Sequence, residues 1–215
     1  MARKLRIEYP DALYHVINRG NYRADIFATQ GAREAFMKAL DEAYGRTGWL
    51  VHAWCLMSNH YHLALRTPNA NLVSGMQWLQ TTFASRFNGF RKERGHVFQG
   101  RYKAFNIEPG RALGSVCHYI HLNPVRAHMM SVDRAAEWGG SSLRWLLRPQ
   151  ERPKWFAPAP ALAHPAELTD SPQGRRAYVA YLAALSTDDA EQKNSVSSRW
   201  PVAGPWAAMI SRASS

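Results

Sequence analysis

The chain has 215 residues, 46% of them hydrophobic, so it can bury a sizeable core and is not a disordered tail. Its 27 Lys and Arg residues exceed its 16 Asp and Glu residues, and the formal net charge of +11 favours a polyanionic partner. No apolar window approaches the ~18 residues of a membrane span, and no secretory signal is visible, so we expect a cytoplasmic, nucleoid-associated protein without a membrane partner.

The positive charge is concentrated in the first part of the chain. Residues 1–128 carry 17 basic and 8 acidic residues, a balance of +9, whereas residues 129–215 carry 10 and 8, a balance of +2. Arginine outnumbers lysine by 21 to 6, and its planar guanidinium suits phosphate oxygens. A GC-rich genome would also favour arginine over lysine, but it would not explain the excess of basic over acidic residues. The two cysteines, Cys55 and Cys117, have no metal-type spacing and suit a reducing compartment.

The secondary structure is predicted from hydrophobic periodicity and from end signals. Runs of β-branched and aromatic residues indicate strands, whereas apolar residues at helical spacing indicate helices. Thr29 and Gly48 are typical of the two ends of a helix, and Pro124 should end or kink the last one. In chain order we predict a strand over 12–20, a helix over 29–48, strands over 49–58 and 60–67, a helix over 71–90, a strand over 103–108 and a helix over 109–129.

This order predicts an α+β protein. Its first six elements match the ferredoxin-like βαββαβ arrangement, an antiparallel sheet with helices on one face. We expect residues 1–147 to form this domain. Residues 148–215 should follow as a proline-rich extended linker and a tail with one helix near 174–186, with about the last 25 residues poorly ordered. Deleting residues 150–215 should then preserve the activity of the domain.

Two histidines share one strand in "SNHYHLAL", residues 58–65. His60 and His62 point to the same face, with about 6.5–7 Å between their Cα atoms, while Tyr61 points to the other face. Two imidazoles at this spacing can bind one metal ion. A half-exposed strand also tolerates two polar residues without any metal, so the pair alone does not decide between the two interpretations.

A second set of candidates lies on the last predicted helix, in "VCHYIHLNP". Tyr119 and Asn123 are four residues apart and share a helical face. Asn123 can offer a carbonyl oxygen to a cation, and Tyr119 a phenolic oxygen to a reaction. The competing interpretation is a core aromatic residue and a polar residue before Pro124. His118 and His121 lie on other faces, and we exclude both from the metal site.

The chain resembles the single-tyrosine transposases of the HUH superfamily (U is a hydrophobic residue), and more narrowly the REP-associated tyrosine transposases. The stretches that carry the resemblance are "IEYPDALYHVINRGN", "WCLMSNHYHLALRTP", "RFNGFRKERGHVFQGRYKA", "YIHLNPVRAHM" and, more loosely, "EWGGSSLRW". They run from about residue 3 to residue 147, with the family's order and natural spacing. Residues 148–215 show no reliable match.

The resemblance implies a site and a reaction. His60 and His62, on a central strand, would be metal ligands, and Tyr119, on the following helix, the nucleophile. Asn123 falls on the third-ligand position, where insertion-sequence relatives have glutamine and the REP-associated branch has asparagine. The implied cofactor is one divalent cation, Mg²⁺ or Mn²⁺, and the implied activity is nicking and rejoining of single-stranded DNA hairpins through a 5′-phosphotyrosine. The alternatives left open are a regulator that binds nucleic acid without cleaving it and an unrelated metallohydrolase; the chain could act as a monomer or a homodimer.

The segment 86–103, "RFNGFRKERGHVFQGRYK", mixes six basic residues with aromatic ones. Cations can follow phosphates while rings stack on bases. We expect Arg101, Lys103 and Tyr102 to contact DNA, since the resemblance places "GRYK" beside the active site, and we assign Arg19 a weaker role. We expect Phe87 and Phe90 to belong to the core instead.

Overall fold

A computed structural model of the chain describes residues 7–195, with side chains for all of these except 165–166 and 188–195. Within this range the fold has four strands, seven α-helices and three short 3₁₀ helices. The strands are β1 (Ala12–Arg19), β2 (Leu50–Leu56), β3 (His60–Thr67) and β4 (Lys103–Asn106). The α-helices are α1 (Gln30–Thr47), α2 (Leu72–Arg91), α3 (Arg111–His121), α4 (Asn123–Arg126), α5 (Leu143–Leu147), α6 (Ala159–Ala166) and α7 (Pro172–Ser195), and the 3₁₀ helices are Asn21–Arg23, Val132–Glu137 and Pro149–Glu151.

The predicted end signals act as expected on two helices. At the start of α1 the Thr29 hydroxyl accepts a hydrogen bond from the amide of Ala32, at 3.2 Å. At its end Gly48 takes the left-handed conformation, with φ 69°, that glycine adopts without strain. Pro124 lies in the short α4, and α3 ends before Leu122, which separates the two helices. The predicted single helix over 109–129 is therefore two helices.

The sheet is antiparallel, and its strands lie in the order β2-β3-β1-β4. β3 is therefore a central strand, hydrogen-bonded to β2 on one side and to β1 on the other. The register pairs Arg19 at the end of β1 with His60 at the start of β3. These strands confirm the predicted α+β fold with its βαββαβ order.

Each face of the sheet carries its own hydrophobic core. α1 and α2 pack on one face, where the alternate residues Tyr61, Leu63 and Leu65 of β3 are buried. α3 and the helices that follow it cover the opposite face, which includes Ala64 of β3. Since side chains alternate along a strand, His60 and His62 belong to the α3 face, opposite Tyr61. The two helices of the βαββαβ unit share one face as predicted, and the helix that carries Tyr119 lies on the other.

The close approach of α2 to the sheet depends on one glycine. A Cβ atom at Gly75 would lie 2.2 Å from Cζ2 of Trp49, whose ring is buried. The Trp49 ring nitrogen donates to Asn71 just before α2, at 2.8 Å. These contacts hold the start of α2 against the start of β2.

The segment after residue 147 is not an extended linker. Its backbone pairs with the outer edge of β2, since the amide of Val51 donates to Trp155 and the amide of Ala157 donates back to Val51, both at 2.9 Å. α6 and α7 then pack on α3, where Leu162 and Tyr178 are buried. The linker prediction was wrong because proline-rich composition gives no information about the apolar surfaces available on the rest of the molecule. α7 contains the predicted final helix and extends beyond it. Of the last residues, which the sequence predicts to be poorly ordered, those from 196 onward lie outside the described range.

None of the helices within residues 7–195 is both long and apolar enough to cross a membrane.

Candidate active site

An open cleft lies where β1 ends and β3 begins. It has a volume of about 610 Å³. It brings together residues from β1, β3, β4, α3 and the segment before β4: Ile17, Asn18, Arg19, His60, His62, Gln99, Gly100, Arg101, Lys103, Phe105 and Tyr119. Most of the residues that the sequence predicts for the site therefore meet in one place, although they come from four separate parts of the chain.

His60 and His62 lie side by side, with their ring centres 5.1 Å apart. Nδ1 of His60 is 2.8 Å from Oδ1 of Asn59, which can only accept, so this nitrogen carries the proton and Nε2 keeps the lone pair. Burial lowers the pKa of His60 to about 4, helped by the charge of Arg19, and lowers the pKa of His62 well below its usual range. Both rings are thus neutral at neutral pH, which is the form that binds a metal ion.

His15 is a residue of this site that the sequence prediction missed. It lies on β1 opposite Ala64, on the same face as His62, and only 5% of it is exposed. Its Nε2 is 3.0 Å from Nδ1 of His62, whose Nε2 is buried without a hydrogen-bond partner among the described residues. Burial lowers the pKa of His15 to about 4, so this ring is neutral and can accept the Nδ1 proton of His62. That arrangement leaves Nε2 of His62 as a free lone pair.

Tyr119 reaches the cleft from the sheet-facing side of α3. Its ring centre is 5.6 Å from that of His62 and 6.0 Å from that of His15. The guanidinium of Arg126 lies 5.1 Å from the centre of the tyrosine ring. Tyr119 is only partly buried, and it lines the cleft.

Asn123 is buried at the start of α4, with 8% of its surface exposed. Its Nδ2 has no hydrogen-bond partner within the described part of the chain, and Asn123 is outside the set that lines the cleft. Among residues 7–195, no three His, Cys, Asp or Glu side chains are grouped so as to hold a metal ion. A third protein ligand beside the two histidines would therefore have to be of another residue type, such as a carboxamide.

The two histidines of α3, which are His118 and His121, take part in structural contacts. His118 Nε2 donates to the carbonyl of Ala161 at 3.1 Å, which ties α3 to α6. His121 is fully buried between the hydroxyl groups of Tyr178 and Ser142, at 2.8 Å each. Neither lines the cleft.

The predicted DNA-contacting residues separate into two groups. Arg19, Arg101 and Lys103 are exposed and line the cleft. Tyr102 is only 5% exposed and belongs to the core beneath α1 and α2, which corrects the prediction that its ring contacts DNA. In a strand-like segment alternate side chains face opposite ways, so Tyr102 faces inward between two outward cations.

The two phenylalanines at the end of α2 also differ. Phe87 packs against the core as predicted, whereas Phe90 is 88% exposed and the prediction for it was wrong.

Comparisons with known proteins identify the family of the chain. The family described as "Transposase IS200 like" matches residues 8–123, which is more than half of the chain. No curated protein matches. A solved structure of a REP-associated tyrosine transposase bound to a REP hairpin is similar with a TM-score of 0.59 and 17% identity, over 73% of this chain and 92% of that one. A candidate transposase from Deinococcus radiodurans R1 is similar with a TM-score of 0.40 and 17% identity, over 60% of this chain and 92% of that one. The chain belongs to the IS200-like transposase family.

Proposed function

We propose that this transposase cuts and rejoins single-stranded DNA hairpins with Tyr119 as the nucleophile. The observation that carries the proposal is the cleft in which the hydroxyl-bearing ring of Tyr119 lies beside two neutral histidines. The phenolic oxygen would attack the phosphorus of a phosphodiester and release its proton, while the bond from phosphorus to the 3′-oxygen breaks. The products are a 5′-phosphotyrosine and a free 3′-hydroxyl, and attack by another 3′-hydroxyl restores a DNA strand without ATP.

The histidines of the cleft fit a divalent cation, for which we propose Mg²⁺ or Mn²⁺. His62 presents a buried Nε2 with no partner among the described residues, and Asn59 and His15 occupy the other nitrogens of the two rings. Such hydrogen bonds to the second ring nitrogen are usual for histidines that bind metals. We propose Asn123, which lies four residues after Tyr119 and whose carboxamide oxygen can bind a cation, as the third ligand. When bound, the ion would polarise the scissile phosphate and orient it for in-line attack.

Three cations surround the cleft and would hold the DNA backbone. Arg19 enters from β1, Arg101 from the segment that leads into β4, and Lys103 from the start of β4. Each can neutralise a phosphate without reading sequence, because such contacts set position rather than base identity. The hairpin as the substrate class follows from the REP hairpin bound by the structural neighbour, which shares the fold.

End-labelled oligonucleotides test the proposal directly. A REP-like hairpin that carries its label at the 3′ end should transfer the label to the protein in a divalent-ion-dependent reaction, because the tyrosine retains the downstream strand. The same hairpin labelled at the 5′ end should give free labelled DNA only. Tyr119→Phe should abolish the adduct, whereas the matched control Tyr9→Phe, at the opposite end of the sheet, should retain it.

The two alternative functions, a non-cleaving regulator and a metallohydrolase, predict different assay results. A regulator that lost cleavage would bind the hairpin and form no adduct with any divalent ion. A hydrolase that uses a metal-bound water would keep its turnover in Tyr119→Phe. Either result would rule out the tyrosine mechanism.

A further inference from the structure

We propose that a cavity between α3, α6 and the sheet binds a small phosphorylated molecule of about the size of a nucleoside monophosphate. The cavity has a volume of about 700 Å³, within the range usual for small-molecule sites. The sheet contributes Leu13, His52 and Arg66 to its lining, and the start of α3 and α6 contribute most of the rest. The inference goes beyond the proposed function, and it does not depend on the chemistry of Tyr119.

The cavity and the active-site cleft lie at opposite ends of the sheet. In the ladder between β1 and β3, Leu13 pairs with Arg66 beside the cavity, whereas Arg19 pairs with His60 beside the cleft. The six residue steps from Leu13 to Arg19 span about 20 Å. None of the described residues lines both spaces. The cavity is therefore a separate site rather than an extension of the cleft.

His52 is a buried residue of the cavity with an unused hydrogen-bonding atom. A β-bulge between Val51 and Ala53 interrupts the register of β2, and bulges commonly redirect a side chain next to a functional site. His52 lines the cavity, and 6% of the residue is exposed. Its Nε2 has no hydrogen-bond partner among the described residues. A buried polar atom without a partner costs free energy, and a ligand that supplies the partner removes that cost.

The protonation of His52 indicates what that partner is. Its Nδ1 lies 2.8 Å from the carbonyl oxygen of Ala157, which can only accept, so Nδ1 carries the proton. Burial lowers the pKa of His52, so the ring is neutral at neutral pH and Nε2 offers a lone pair. His164 of α6 also lines the cavity, and its Nδ1 is a second buried atom without a partner in the described part of the chain. The ligand should therefore carry a hydroxyl or amino group that donates to Nε2 of His52.

The N-terminus of α3 gives one end of the cavity a positive charge. Gly110 precedes this helix and lines the cavity, and no described side chain caps the first turn, so its amides are open to an anion. Arg111, the first residue of α3, is exposed and also lines the cavity. A helix N-terminus beside a guanidinium suits the oxygens of a phosphate group.

Arg66 is a second cation of the cavity. It lies 3.8 Å from Asp11, but the two side chains are 42% and 68% exposed, and such a surface ion pair contributes little. The Nε of Arg66 has no hydrogen-bond partner within the described ranges. Of the lining residues that are described, Glu167 alone is acidic. Two arginines and a helix N-terminus thus outweigh one carboxylate, which favours an anionic ligand.

Much of the remaining lining is apolar and includes Leu13, Leu113 and Pro160. These side chains can pack against the flat face of a base. A nucleoside monophosphate combines the three features that the cavity requires, which are a phosphate, hydroxyl groups and a body with an apolar face. Since His52 is almost completely buried, a small free molecule fits the cavity better than a continuous DNA strand.

Isothermal titration calorimetry of the full chain tests the inference, with AMP, thymidine 5′-monophosphate and ribose 5-phosphate as probes. EDTA in the buffer removes divalent ions, so the proposed metal site takes no part. At least one probe should bind with one molecule per chain. The same compound without its phosphate, such as adenosine for AMP, should bind roughly 10-fold more weakly or worse. A saturating oligothymidylate should not displace the probe, because the cleft and the cavity are separate.

Substitutions locate the binding. Arg111→Gln, at an exposed residue, should weaken binding of the phosphorylated probe by roughly 10- to 150-fold, and Arg111→Lys by less. His52→Asn keeps an amide donor for the Ala157 carbonyl but loses Nε2, so it should weaken binding by roughly 2- to 10-fold. The matched control Arg94→Gln removes an exposed arginine outside the cavity and should leave the affinity unchanged.

Three results would overturn the inference. They are saturable binding of none of the probes, equal losses of affinity in Arg111→Gln and Arg94→Gln, and displacement of the bound probe by the oligothymidylate. Displacement would place the phosphate in the cleft instead. Thermal melts without a probe check that each variant folds, and the exposed Arg111 keeps the test decisive if His52→Asn does not fold.

Discussion

Removing residues 150–215 tests whether the C-terminal segment is part of the folded domain. Composition alone predicts a dispensable linker and tail, so the deletion should preserve activity. The packing predicts the opposite, because this segment pairs with the edge of β2 and covers α3, the helix that carries Tyr119, the proposed nucleophile. The deletion would also leave the fully buried His121 without its Tyr178 partner.

The expected loss can be worked out from burial. Five large apolar or aromatic side chains of the segment are at most 6% exposed: Trp155, Phe156, Leu162, Tyr178 and Leu182. Burial of one such side chain contributes about 1.5–3 kcal/mol, so the five together contribute roughly 8–15 kcal/mol as an upper estimate. The whole free energy of unfolding of a domain is about 5–15 kcal/mol. The truncated chain should therefore fail to fold cooperatively at room temperature.

Urea unfolding followed by circular dichroism, together with limited proteolysis, measures this effect. The control is a deletion of residues 196–215 alone, which removes none of the five side chains and should keep the midpoint of unfolding unchanged. The reasoning is refuted if the longer deletion shows a cooperative transition with the same midpoint as the control. Adduct formation with a hairpin should disappear in the longer deletion, because α3 loses the surface that positions Tyr119.

Three further predictions concern single residues. His15→Phe removes the acceptor of the His62 Nδ1 proton and should raise the Mn²⁺ concentration needed for half-maximal adduct formation about 10- to 100-fold. His15→Gln should partly restore the lower Mn²⁺ requirement. An unchanged metal titration would contradict the role given to His15. Gly75→Ala should lower the free energy of unfolding by about 1–3 kcal/mol, since the new methyl group meets a buried tryptophan ring. The control Gly89→Ala, on the same helix, places its methyl group in open space and should not destabilise the protein. Equal urea midpoints for the two variants would refute this reasoning. Burial lowers the pKa of His118 to about 4, so the contribution of this residue to stability is complete above about pH 6.5 and is lost as the pH falls towards 4. Between pH 7 and pH 5, the free energy of unfolding of His118→Phe in urea should therefore fall by about 2 kcal/mol less than that of the unaltered protein. Equal losses in the two proteins would contradict the lowered pKa of His118.

Local sequence patterns were sufficient for the elements and for part of the site. Period-two alternation placed His60 and His62 on one face of a strand and Tyr61 on the other, and the structure has this arrangement. Thr29 and Gly48 predicted the two ends of α1, because caps depend on backbone geometry within a few residues. Resemblance to a family, rather than periodicity, connected this strand with Tyr119.

Contacts across the sheet could not be read from the sequence. His15 looks like any polar residue in a strand until the register places it beside His62. The predictions that Tyr102 contacts DNA and that Phe90 belongs to the core were both wrong, since composition does not indicate which ring faces the core and which faces solvent.

By itself the sequence determined the basic charge, the βαββαβ order and the residue types that can perform phosphoryl transfer, because these depend on composition and on spacing of a few residues. Only the tertiary structure decided that His15 lies 3.0 Å from His62, that α6 and α7 complete the core over α3, and that one cleft brings together residues from separate parts of the chain. The physical reason is that burial and hydrogen-bond partners are properties of segments far apart in the chain. They are fixed only when packing brings those segments together.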